Sequence, residues 1–135
     1  REMIRGVGEV ARELEVERLV VAVRPSAKWR YPHVDMADYA QWTDPSGRPF
    51  DPWLRSHMAM GARIDGIARD SMVVEQPVGF WEAWTGKRIT ESGPVLVPNG
   101  LVPVDIDLER NIGRYAEPNV WMSYPAIEAE ARAAA

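Results

Sequence analysis

The residues of this chain whose types and spacing could do chemistry are His57, the cations Arg24, Lys28 and Arg30, and the acids Asp105 and Glu117. His57 lies in FDPWLRSHMAMG, residues 50–61. There Asp51 is a ready N-cap, Pro52 fits the first helical position, and Gly61 lets the helix end. At helical spacing His57 shares a face with Phe50, Trp53, Leu54 and Met58, so its imidazole points to the interior or into a cleft. An imidazole so placed can act as acid or base near neutrality, or sit as a hydrogen-bonded core residue. Arg24, Lys28 and Arg30 fall in one loop with Trp29 and Tyr31, at the carboxyl end of an apolar strand. The loop could meet an anionic ligand whose flat part stacks on the aromatics, or its long side chains could simply cover apolar surface. Glu117 or Asp105 could be the base that deprotonates an amine, while Glu117 could instead cap or pair with Arg114. Arg5-Gly6-Val7-Gly8 reads either as plain helix or as a phosphate-cradling turn before a helix N-terminus.

Composition removes several classes of function. The chain has no cysteine, which excludes disulfides, thiolate catalysis and cysteine zinc sites. His33 and His57 are its two histidines, too few for a multi-histidine centre, so no metal is expected. A net charge of −4 argues against a nucleic-acid-binding face. No apolar run approaches the roughly 20 residues of a membrane span, and no signal peptide is visible. These features fit a cytoplasmic protein. Residues 1–135 form one domain or part of one, with enough chain to bury a core.

The elements that would position these groups follow from periodicity. Residues 2–16 read as a helix with Met3, Val7, Val10, Ala11 and Leu14 near one face. A core helix starting this abruptly implies that an N-terminal portion precedes Arg1. Residues 18–24 form a strand whose near-continuous apolar run implies burial on both faces. Helices are expected over 34–42, with Asp35 as an early acid, over 52–60, and over 78–85, ended by Gly86. Trp81 and Trp84 on the last of these are read as core. Strands are expected at 62–67, 70–76 and 120–124, with another pair, 95–97 and 101–106, around the Pro-Asn-Gly turn at 98–100. The alanine-rich end reads as a helical or frayed tail.

Three segments, LVVAVRPSAK, FDPWLRSHMAMGARI and LVPVDIDLERNIGRYAEPNVWM, resemble the C-terminal half of a GNAT-superfamily N-acetyltransferase. More narrowly, they are similar to bacterial GNAT-like proteins with an extended C-terminus, and the resemblance runs from about Glu9 to Met122. It implies an α/β (mixed α+β) fold, a GNAT-like splayed mixed sheet flanked by helices, with residues 1–135 as the C-terminal portion of a single domain. Leu19–Arg24 would be the family's fifth strand, forming one wall of the wedge that receives the pantetheine arm. That would place Val21, Val23, Arg24, Lys28 and Arg30 beside acetyl-CoA or another acyl-CoA. The family's helix after this strand commonly ends in Tyr, three residues, then Gly-Phe, and the Tyr protonates the departing thiolate. Here His57 stands four before Gly61, and Gly61-Ala62 replaces Gly-Phe. The resemblance thus implies a CoA-dependent acyltransferase passing its acyl group directly to an amine or other small acceptor. His57 would be the acid and Glu117 a base. It would act together with its N-terminal half, on the same or a separate chain, and could form a homo-oligomer. The alternative is a non-catalytic GNAT-derived module that binds acyl-CoA or takes part in protein assembly.

Overall fold

The computed structural model describes residues 18–125. The helix expected at 2–16, with its glycine pair, and the C-terminal tail lie outside them. The apolar run after Glu17 forms β1 (Arg18–Val23), followed by a single 3-10 turn at Lys28–Arg30 and a short helix α1 (Met36–Tyr39). Asp51 and Pro52 then start α2 (Pro52–Ala59), as their types require, and Gly61 continues past its end at φ +98°. The rest of the chain is β2 (Arg63–Gln76), α3 (Val78–Thr85), β3 (Gly93–Val95), β4 (Val104–Asp107) and β5 (Ile112–Pro125). The mixed α+β class is borne out: one five-stranded sheet with helices on it, every described pairing being antiparallel.

The centre of the sheet is β5. β2 pairs with it along nearly its whole length, from Arg63 opposite Ser123 to Gln76 opposite Gly113. The other edge is therefore shared. β1 pairs with Val120–Pro125, and β4 pairs with Ile112–Arg114. Between them, residues 115–119 of β5 face a gap with no strand among the described residues, closed by the loop from Leu96 to Pro103.

β5 is far longer than the expected 120–124, because Pro118 and Gly113 look like strand breakers in sequence. Pro118 is tolerated because β2 is irregular opposite it. The register jumps from Ala68–Asn119 to Met72–Glu117, so Arg69–Ser71 bulge where Pro118 has no N–H to give. The same irregularity accounts for the two strands expected at 62–67 and 70–76, which form one strand. The tight hairpin expected around residues 98–100 is also corrected. β3 and β4 pair Val95 with Val104, leaving an eight-residue loop in which Asn99 takes φ +62°.

Alternation along β5 divides the molecule into two cores. Val120, Met122 and Tyr124 pack with Val23 of β1 under Met36, Tyr39 and Leu54 of α1 and α2. Tyr115 packs on the opposite face with Val104, Ile106 and, from α3, Val78 and Trp81. Burial of β1 on both faces is not found. Val23 is buried whereas Val20 is 54% exposed, since among the described residues helices cover only the first face at this strand. Trp84 is likewise not core. It is 56% exposed, because α3 lays only one stripe, Val78 and Trp81, on the sheet.

One buried carboxylate joins the helices to the end of β1. Asp51 caps α2 by accepting from the N–H groups of Trp53 (2.9 Å) and Leu54 (3.1 Å). It also accepts from Ser26 N (3.1 Å), Ala27 N (2.9 Å) and the Tyr39 hydroxyl (2.5 Å). Among the described residues, no helix is long and apolar enough to cross a membrane.

Candidate functional site

The gap in the sheet is where polar chemistry collects. β5 sends Tyr115 and Glu117 to the α3 side, and Arg24, the first residue beyond β1, reaches them from across the gap. The Glu117 carboxylate is buried, at 3% exposure, and well furnished with donors. Its Oε1 accepts from Arg24 Nε (3.1 Å) and from the Tyr115 hydroxyl (2.8 Å), and its Oε2 accepts from Asn119 Nδ2 (3.1 Å). Each partner is itself held. A terminal guanidinium nitrogen of Arg24 donates to the Asn99 carbonyl (2.9 Å), and the Tyr115 hydroxyl accepts from Leu101 N (3.0 Å). Asn119 Oδ1 accepts from Ser71 Oγ (2.8 Å), so the β2 bulge opposite Pro118 also orients this amide.

Burial, reinforced by the neighbouring Glu117, pushes the Tyr115 hydroxyl up to about 12, against a smaller opposing effect of the Leu101 N–H. Tyr115 therefore keeps its proton and donates it to Glu117 throughout the neutral range. Above this floor lies a cavity of about 360 Å³ with walls from Met72, Val74, Phe80, Trp84 and Val97. Trp81 adjoins it with its indole N–H already donated to the carbonyls of Gln76 (3.2 Å) and Gly113 (3.1 Å). The arrangement is a fixed carboxylate at the bottom of an apolar, aromatic cleft. Chemically it can hold a cationic group, or take a proton from one.

His57 is elsewhere. It is buried on α2, its Nδ1 shares a short hydrogen bond with the Tyr124 hydroxyl, and the Trp53 ring meets it edge-on with centroids 4.6 Å apart. Burial holds its pKa below the ordinary 6.5, so it is neutral at neutral pH. Tyr124 and Glu117 differ in strand parity, which puts His57 and Glu117 on opposite faces of the sheet. His57 is not among the residues lining the cavity.

The loop cations do not act as one cluster, because alternation and the 3-10 turn send them apart. Arg24 turns to Glu117. Lys28 is fully buried, with Nζ donating to the carbonyls of Tyr31 (2.7 Å) and Leu101 (2.8 Å), and burial lowers its pKa. Arg30 is exposed and lies over the Trp29 ring at 5.2 Å. Val21 and Val23 point into the core beneath α1 and α2, while the second edge of β1 carries no strand among the described residues. Asp105 is exposed on β4, and Arg114 pairs with Glu75 at 3.1 Å rather than with Glu117. Among the described residues no group of three His, Cys, Asp or Glu side chains could hold a metal ion.

Sequence reasoning named Arg24 and Glu117 separately and missed their pairing, 93 residues apart, together with Tyr115 and Asn119. A signal was present: Tyr115, Glu117 and Asn119 recur at period two, as side chains on one face of a strand do.

No family model matches the chain. Over 91% of its length it is 33% identical, across 141 aligned residues, to the arginine N-acetyltransferase avaD of Aspergillus versicolor. It spans about half, 49%, of that fungal relative. Among solved structures it is similar to the loading GNATL domain of CurA from Lyngbya majuscula, with 22% identity and a TM-score of 0.45. That match covers 84% of this chain and 38% of the other. The similarity to the fungal N-acetyltransferase bears out the resemblance to GNAT-type N-acetyltransferases read from the sequence.

Proposed function

We propose that this chain supplies the acceptor-facing part of a CoA-dependent N-acyltransferase. The observation that carries the reading is the buried Glu117 carboxylate, fixed by Arg24, Tyr115 and Asn119 at the floor of an apolar cleft, in a relative of an N-acetyltransferase. Acetyl-CoA, or another acyl-CoA, is the co-substrate. The edge of β1 that carries no strand among the described residues, over Val21 and Val23, offers backbone groups to its pantetheine arm, and β1 ends just before Arg24, beside the cleft. Arg30 is the exposed cation of the following loop, facing solvent where a phosphate could approach.

A small amine acceptor enters the cleft as its ammonium form and meets Oε2 of Glu117, the oxygen with a single described donor. Glu117 takes one proton from the ammonium, and the freed nitrogen lone pair then bonds to the thioester carbonyl. As the C–S bond breaks, the nitrogen's second proton passes to the departing thiolate, leaving the amide and the free thiol. No bond to the protein forms. Tyr115 and Arg24 hold the carboxyl group aimed while this happens.

The test is Glu117→Gln in the purified gene-encoded protein, assayed for thiol release from acetyl-CoA with an amine acceptor. Loss of a positioned base lowers kcat/KM by about 10²-fold or more. An unchanged rate would remove Glu117 from the reaction. Wild-type protein that binds acetyl-CoA but transfers to no amine would favour a binding module.

A further inference from the structure

From the cleft's lining we infer the class of acceptor: a primary amine with no second cationic group, carried on an aromatic or branched apolar body, rather than a compound with two cationic groups such as arginine. This rests on Glu117 being the carboxylate that meets the amine, and it goes beyond that reading by specifying the rest of the molecule.

The polar side chains at the cavity floor are almost all engaged. The Trp81 N–H donates to Gln76 and Gly113, and the Tyr115 hydroxyl lies between Leu101 N and Glu117. Arg24 is committed to Glu117 and Asn99. Among the described residues Glu117 is the one carboxylate in the lining, and Oε2 keeps room for one more donor besides Asn119. One ammonium can therefore be satisfied. A second cation would find no second acid among the described residues and would feel the Arg24 charge close by, a combination that disfavours it in a desolvated cleft.

The walls reinforce this choice. Phe80 and Trp84 are 39% and 56% exposed, on a helix whose other large aromatic, Trp81, is buried. Their rings lie at 6.1 Å between centroids, tilted by 44°, and Met72, itself 47% exposed, faces the same cavity. Aromatic and thioether surfaces like these recover most when a flat apolar ring covers them. A volume of about 360 Å³ suits a ring with a short alkylamine arm.

The experiment measures direct binding and turnover of phenethylamine, propylamine, arginine and agmatine with the purified gene-encoded protein. By calorimetry without co-substrate, phenethylamine should bind about tenfold more tightly than propylamine, which lacks the ring, and than arginine or agmatine, each of which carries a second cationic group. Trp84→Ala and Phe80→Ala should each shrink the phenethylamine-over-propylamine preference to under about threefold, with circular dichroism spectra like wild type. Arginine or agmatine binding as tightly as phenethylamine, or a preference untouched by both substitutions, overturns the inference. Failure of every amine to release thiol from acetyl-CoA would defeat the transferase reading, while the calorimetry would still decide the ligand class.

Discussion

Replacing Asp51 by Asn changes one atom of a fully buried side chain and tests whether a single carboxylate organises the first half of the fold. Oδ1 accepts from Ser26 N, Trp53 N and Leu54 N, and Oδ2 accepts from Ala27 N and the Tyr39 hydroxyl. In Asp51→Asn the first three bonds persist but lose charge assistance, and Asn remains a good N-cap. The second oxygen becomes an amino group. The Tyr39 hydroxyl can turn to accept from it, but the Ala27 N–H then faces a donor and is left unsatisfied, at about 1–3 kcal/mol. Weakening of the three surviving bonds brings the expected loss to about 2–4 kcal/mol. That is a large share of the roughly 5–15 kcal/mol that holds an ordinary domain. Asp51→Ala removes all five bonds and should unfold most of the protein, whereas Tyr39→Phe removes one and should lose about 1 kcal/mol. Urea unfolding followed by tryptophan fluorescence measures all three. An Asp51→Asn loss under about 0.5 kcal/mol, with an unchanged denaturant slope, would refute the argument that these bonds join α2 to the loop after β1.

Stability should also fall as the solution is acidified through the titration of unfolded histidine. His57 has a lowered pKa in the fold, so the unfolded chain binds the proton first. Its contribution is complete above the ordinary 6.5 and is lost as pH falls from there toward the folded value. Wild type should therefore lose more stability than His57→Gln between about pH 7.5 and about pH 5.5, and equal slopes would contradict it. Gly113→Ala places a methyl group against the indole of Trp81 and the end of Ile106, with no room for either. It should lose about 1–3 kcal/mol and shift tryptophan emission as Trp81 leaves the cavity wall, both read in one thermal melt.

How far the fold could be read beforehand depended on whether each signal was local. The Asp51-Pro52 start and Gly61 end of α2, and the Gly86 end of α3, are written in adjacent residues and were recovered with their boundaries. β1 was found too, but its burial was not, since an apolar run does not say whether one face or two are covered. Pro118 misled because its acceptability depends on the Arg69–Ser71 bulge, which lies on another strand. The site shows the same division. Arg24 and Glu117 each stood out by type, while their meeting depends on the register that sets Val23 opposite Val120. The apolar face of α2 placed His57 correctly inside, yet only the strand parity of Tyr124 shows that it faces away from Glu117.

The central position of β5 also governs when the protein can fold. β1, β2 and β4 each pair with β5 and with none of one another, so before residues 112–125 leave the ribosome the β3–β4 pair is the sheet's only one among the described strands. Among the described strands the partner of β1 lies about a hundred residues downstream, and the long β2 waits for the same strand with its apolar side chains uncovered. Nearly all the pairing is long-range, which makes folding slow and the nascent chain prone to aggregate. When β5 arrives it completes in one step both the sheet and the cleft, because the strand that unites the others also carries Tyr115, Glu117 and Asn119.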